Sequence, residues 1–340
     1  MGRTRALHVE GRRYPAGASG GAQPRIERES RHVPPRASLH RPVNPGVLAG
    51  IGSAAIWAVA STLMASSSTR VDAVSVSAVR GAWGALALLI VLPFVIMSGG
   101  FDAMTVAVAV AVIGSALVGH SLGDTLYVFS LNALGLTRAF TISLGLFVFL
   151  TYALGIVFLG DAITLAEVIG SLLVLVGVYL VALRGRRGGA PAATPAGSGN
   201  LKQGLALVGI TALIWAVATV WLGDAVEGQN AVAVTALRLP ASALVVGFVA
   251  GAMPRSSVRR WQISRWDHGA LFLAGVAGTG VGSLLWIYAV QEAGVGRAAV
   301  ASAISPLFAV PLGAIFLGER LTLWLVAGVA VAVAGIILIS

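Results

Sequence analysis

The chain has 340 residues, 57% of them hydrophobic and only 11% charged, with mean hydropathy +0.89 and a formal net charge of +10. A soluble domain carries about 25% charged residues, so this chain cannot cover a water-facing surface and its main solvent must be a bilayer. It contains no cysteine, which excludes disulfides, thiolate metal sites and cysteine nucleophiles.

Residues 1–45 hold nine Arg against three Glu and no apolar run. They read as a disordered basic tail without the apolar core of a signal peptide. The tail is expected either to touch lipid headgroups or to reflect a start codon assigned too early. No basic face is interleaved with aromatics in a folded domain, so nucleic acid is not an expected partner.

A membrane span needs about 20 apolar residues. Ten such helices are expected, making the chain an all-α, multi-pass protein of the cell membrane. The first half, 46–184, gives helices at 46–66, 73–97, 104–132, 138–159 and 164–184. A linker rich in Gly, Pro, Ala and Arg occupies 185–202. The second half, 203–340, gives 203–222, 231–252, 268–292, 298–317 and 323–339. The third helix of each half is long, so a tilt or an interfacial extension is expected. Gly160-Asp161 and Gly318-Glu319 mark tight reversals, and each acid is expected to cap the helix that follows it.

The second half repeats the first. Ala-Ala-Ile-Trp-Ala-Val-Ala at 54–60 matches Ala-Leu-Ile-Trp-Ala-Val-Ala at 212–218. At the same offset Arg80 pairs with Arg238, Phe158-Leu159-Gly160-Asp161 with Phe316-Leu317-Gly318-Glu319, Gly170 with Gly328 and Gly177 with Gly335. Five helices per half is an odd number, so the second half must enter the membrane from the opposite side and the repeats are inverted. Lys and Arg near the helix ends put both termini outside when the tail is left out, and nearly balance the two sides when it is included.

The Trp in the first helix of each half (Ile56-Trp57, Ile214-Trp215), the Arg early in the second and the Ala-rich end of the third form one ordered set. With them goes Ser305-Pro306-Leu307-Phe308 through Phe316-Leu317-Gly318-Glu319-Arg320-Leu321-Thr322. This set resembles the drug/metabolite transporter superfamily in its ten-helix EamA branch, over nearly all of 46–340. The first half departs from that pattern: its fourth helix lacks prolines matching Pro306 and Pro311, Asp161 stands where Glu is usual, and Ala58 and Ala216 stand where Gly is frequent. The resemblance implies export or exchange of a small metabolite through a central cavity, and names no substrate.

Ionisable groups in mid-membrane are costly and usually mark a pathway. His120, Asp124 and Tyr127 are spaced by four and three, on one helical face. The repeat puts Thr279, Ser283 and Trp286 in their places, so the ionisable pair exists in one copy only. The His120–Asp124 pair reads as a proton-coupling site or, blandly, as a self-neutralising structural pair. Arg80 and Arg238 read first as structural, snorkelling or binding carbonyls; the alternatives are an acidic substrate group or Asp124. Trp57 and Trp215 stand mid-helix, where packing and cavity lining are both open. The candidate substrate or coupling residues are therefore Trp57, Arg80, His120, Asp124, Tyr127, Trp215, Arg238, Ser283 and Trp286.

The leading reading is a secondary transporter with alternating access about the repeat interface, whose partners are a small-molecule substrate, the lipid bilayer and protons. No phosphate-binding GxxxxGK[ST] loop is present, no metal or cofactor is expected, and no oligomeric state is implied. The chain is not read as an enzyme: HExxH and paired carboxylates on one helix are missing. A transport-inactive structural or sensory membrane protein is the other alternative.

Overall fold

The computed structural model describes residues 44–159, 165–183, 200–302, 304–319 and 321–339. The basic tail up to residue 43, the linker from 185 to 199, Asp161 and Arg320 lie outside the described residues.

Every regular element among the described residues is a helix. In the first half these are α1 (Pro45–Ser67), α2 (Ala73–Met97), α3 (Val106–Leu134), α4 (Leu136–Leu159) and α5 (Leu165–Leu183). In the second they are α6 (Leu201–Gly223), α7 (Ala231–Ala252), α8 (Arg265–Ala293), α9 (Val295–Ser302), α10 (Pro306–Leu317) and α11 (Leu323–Ile339). Among the described residues eight stretches are long and apolar enough to cross a bilayer: α1 to α4, α6 to α8 and the run Val295–Leu317. The expected fifth and tenth spans correspond to α5 and α11, which are not among the eight; the apolar part of α11, Leu323–Gly335, is shorter.

Local chemistry fixes the helix starts. Asn230 accepts hydrogen bonds from the Val232 and Ala233 N–H groups, and Asp72 accepts from Ser75 N–H, satisfying donors that the first turn leaves open. Asp72 also accepts from Ser257 N–H at 2.6 Å, tying the start of α2 to the loop after α7. Burial pushes the Asp72 carboxyl up, but the bonds from Ser257 and Ser75 outweigh it and hold it below its ordinary value. That contribution is intact at neutral pH and is lost only as pH falls through the lowered value.

Glu319 does not cap the helix that follows it. Its carboxylate accepts from Leu136 N–H at 2.6 Å, Thr137 N–H at 3.0 Å and the Thr137 hydroxyl, so it caps α4, in the other half of the chain. The reason is the turn: Gly318 is left-handed (φ 64°) and turns the acid back toward Gly313, whose carbonyl accepts from Glu319 N–H. Gly135, also at positive φ (78°), leaves the room the carboxylate needs, because a Cβ there would stand 2.8 Å from Glu319 Oε1. Glu319→Ala should cost about 0.5–2 kcal/mol, as other cap removals do, and Glu319→Gln less. Thermal unfolding in lipid nanodiscs measures both, and equal melting temperatures for Ala and wild type would sink this assignment.

The halves pack reciprocally. α1 runs antiparallel along α8: Gly46 lies against Ala293, Ser53 Oγ donates to the Gly282 carbonyl at 2.8 Å, and Gly278 faces Ala60. α6 runs antiparallel along α3 in the same way, with Gly204 against Leu134, Trp215 against Gly123, Ala218 against Gly119 and Trp221 against Gly114. α2 pairs with α7 and α5 with α11. Small residues set these close approaches. A Cβ on Gly335 would lie 2.5 Å from the Gly170 carbonyl oxygen and 2.7 Å from Val174 N. Gly335→Val should therefore destabilise the α5–α11 contact by about 1–3 kcal/mol, the usual cost of overpacking. An unchanged melting temperature would show that the two helices separate freely.

Candidate functional site

α3 and α8 are not uniform α-helices. Leu117–Gly123 in α3 and Ala274–Gly282 in α8 are wound as π-helix, at matching places in the two halves. Such segments widen the turn and are frequent at functional sites. They carry the glycines that admit α6 and α1, and they place His120 and Asp124 at the centre of the bundle.

Asp124 is the hub of that centre. Its Oδ2 accepts from Arg80 Nη2 at 2.7 Å and lies 3.3 Å from His120 Nδ1. Its Oδ1 accepts from Trp215 Nε1 at 2.9 Å. Asp124 and Arg80 are 3% and 2% exposed, so the pair is buried. Of the readings open for Arg80, the structure shows the pairing with Asp124 rather than snorkelling or carbonyl binding: its guanidinium meets the carboxylate and also lies 5.5 Å from the Trp57 ring centroid. Its Nε and Nη1 have no hydrogen-bond partner among the described residues. The expected His120–Asp124 pair is one edge of a cluster of four side chains, not an isolated couple.

Beside this cluster is a cavity of about 130 Å³. Of the nine sequence candidates, Trp57, His120, Asp124, Trp215, Arg238, Ser283 and Trp286 line it. Arg80 and Tyr127 do not. Tyr127 is fully buried behind the aromatic wall, with its ring 6.1 Å from that of Trp57 and 5.3 Å from that of Trp215. Phe147 completes the wall, 6.4 Å from Trp215 and 6.0 Å from Trp286. Sequence reasoning missed Phe147 and Leu144 on α4, and Ser302 and Ser305 before α10. The signal available was Ser305-Pro306, quoted for its motif and not for its place beside the cavity.

The two repeat-equivalent arginines have different surroundings. α2 and α7 run antiparallel, with Gly81 against Ala243 and Gly100 against Asn230. Arg80 therefore stands in the first third of α2 and Arg238 level with its middle, roughly 9 Å apart in height at 1.5 Å per residue. The cavity takes its α1 residues from the first half of that helix up to its middle (Ser53, Ala54, Trp57) and its α6 residues from the second half (Trp215, Ala218, Thr219). It lies on the Arg238 side.

A family model described as the EamA-like transporter family matches residues 44–183 and again 202–340. A curated protein of Streptantibioticus cattleyicolor named "Probable terminal-alkyne amino-acid exporter" is 30% identical over 131 residues, which cover 38% of this chain and 42% of that protein. The matched region is therefore less than half the length of that relative. One solved crystal structure of a protein superposes with TM-score 0.64 over 87% of this chain and 95% of the other, at 18% identity, a likeness of fold alone.

Proposed function

The chain belongs to the EamA-like transporter family and is a multi-pass membrane transporter, and we propose that it moves a small organic solute through the central cavity by alternating access. The observation that carries this reading is the cavity itself. It is lined from both repeats, at the level where both π segments occur, by polar and aromatic groups in an otherwise apolar bundle.

The ten-span, inverted-repeat arrangement belongs to the same proposal, with α5 and α11 as the remaining spans. Its support is the antiparallel course of α1 along α8 and of α6 along α3. If the repeats entered the membrane from the same side, the first helix of one half would run parallel to the third helix of the other. Rocking one set of helices against the other would close the side of Arg238 and open that of Arg80. The transport class fits the name of the curated relative, an exporter.

For the driving force we assign a proton, taken by His120 with Asp124. His120 lines the cavity, and the charged groups facing it are Asp124, Arg80 and Arg238.

The native chain lacks cysteine, so single reporters are unambiguous. Ser283→Cys lies at the cavity, and Ser61→Cys lies fully buried further along α1. A membrane-impermeant maleimide should label Ser283→Cys, at the solute site, from either side in turn, and Ser61→Cys only from the side that opens at Arg80. Labelling of Ser283→Cys from one side alone, or none of Ser61→Cys during active flux, would overturn alternating access.

A further inference from the structure

Arg238 stands where the repeat puts Arg80, but its surroundings lack the acid. Ser283 occupies the place that Asp124 holds in the first half. Arg238 is 5% exposed, forms no ion pair among the described residues, and has its Nη1 without a hydrogen-bond partner there. It nevertheless lines the cavity. A buried guanidinium is expensive unless paired. Asp124 does not pair with it: no hydrogen bond or ion pair joins the two among the described residues, and that carboxylate already takes Trp215, Arg80 and His120. Its charge is already matched by Arg80, which leaves one positive charge over.

We propose that the cavity binds a small organic mono-anion, a carboxylate held by Arg238 with an apolar body among Trp57, Phe147, Trp215 and Trp286. This rests on the reading of the cavity as the transport site and names the substrate class for it. Guanidinium and carboxylate match in shape and charge. One unpaired cation balances one carboxylate, whereas a phosphate monoester brings about −1.5 to −2. Among the described residues no unpaired acid lines the cavity to receive an ammonium group, so a free carboxylic acid suits the site better than an α-amino acid. The volume is close to that of an engineered cavity that takes benzene, about 150 Å³, so the apolar body is about one ring in size.

The test uses the full chain in lipid nanodiscs and follows quenching of tryptophan fluorescence with matched probes: phenylacetate, phenylacetamide, phenethylamine, phenylalanine and phenyl phosphate. Phenylacetate should bind at least about tenfold more tightly than its amide, the size of one charge-assisted hydrogen bond, and more tightly than the amine, phenylalanine and phenyl phosphate. Arg238→Gln should erase the preference for the acid over the amide. Arg238→Lys should keep the preference and weaken binding. The wild-type ranking stands without the variants if these fail to fold. An amide or amine that binds as well as phenylacetate, or a retained acid preference in Arg238→Gln, overturns the proposal; tighter binding of phenyl phosphate overturns the carboxylate assignment. Vesicle flux separates the two readings. Flux of ammonium compounds alone would sink the anion site and leave transport standing. Phenylacetate binding without flux of any acid would leave the site standing and sink transport.

Discussion

Arg80→Met should leave little folded protein. The substitution strands the carboxylate of Asp124, 3% exposed, without its guanidinium. Breaking a buried ion pair from one side costs about 3–5 kcal/mol, because the survivor is an uncompensated charge. Asp124→Leu should cost about as much, by leaving Arg80 buried and alone. The double variant should be far milder than the sum, since neither charge remains. Its residual cost is about 1–3 kcal/mol for the Trp215 N–H, which loses its acceptor. Thermal unfolding of the four proteins in nanodiscs closes the cycle. Additive losses would mean that Arg80 and Asp124 do not act as a unit.

Asp124→Asn should abolish solute movement driven by an imposed pH gradient while sparing solute exchange. Asn keeps the shape and removes the titration. It also weakens the hold on Arg80, so a second variant is needed. His120→Gln removes the titrating ring and leaves the 2.7 Å Arg80–Asp124 contact in place. It should reduce pH-driven flux to the level of protein-free vesicles, again with exchange retained. Wild-type pH-driven flux in both variants would make the cluster structural, and the energy source would then lie elsewhere.

Much of the scaffold was legible in the sequence because its causes are local. α2 and α7 fall at the expected 73–97 and 231–252, since Asp72 and Asn230 are strong capping residues just ahead of long apolar runs. The π segments were not legible. A widened turn adds one residue to the ring of hydrogen bonds and leaves no separate periodicity in Leu117–Gly123 or in the Gly-rich Ala274–Gly282. The expected ninth helix, 298–317, begins at Val295 and is described as two pieces, Val295–Ser302 and Pro306–Leu317; a proline removes a backbone donor and favours a new helix start.

The candidate site was legible in type more than in pairing. A His and an Asp one turn apart are visible in any helix. That the Asp belongs first to Arg80, 44 residues away, and to Trp215, 91 residues away, depends on which helices meet. The same holds for Glu319, whose carboxylate serves α4 and not its own neighbour. The repeat shows that Arg80 and Arg238 are equivalent in sequence. Only the antiparallel packing of α2 and α7 shows that they stand at different depths, one paired and the other beside the cavity.

Counterflow in proteoliposomes shows whether this cavity carries a solute across the membrane. Vesicles holding purified full-length chain would be loaded with unlabelled solute and given the labelled form outside. The panel would cover organic acids, amino acids, sugars, nucleotides and organic cations. Saturable uptake above protein-free vesicles is expected for at least one class, with loss of that uptake in Trp215→Ala, which removes both part of the aromatic wall and a donor to Asp124. Uptake no greater than in protein-free vesicles for every class, or uptake unchanged in Trp215→Ala, would contradict transport through this cavity.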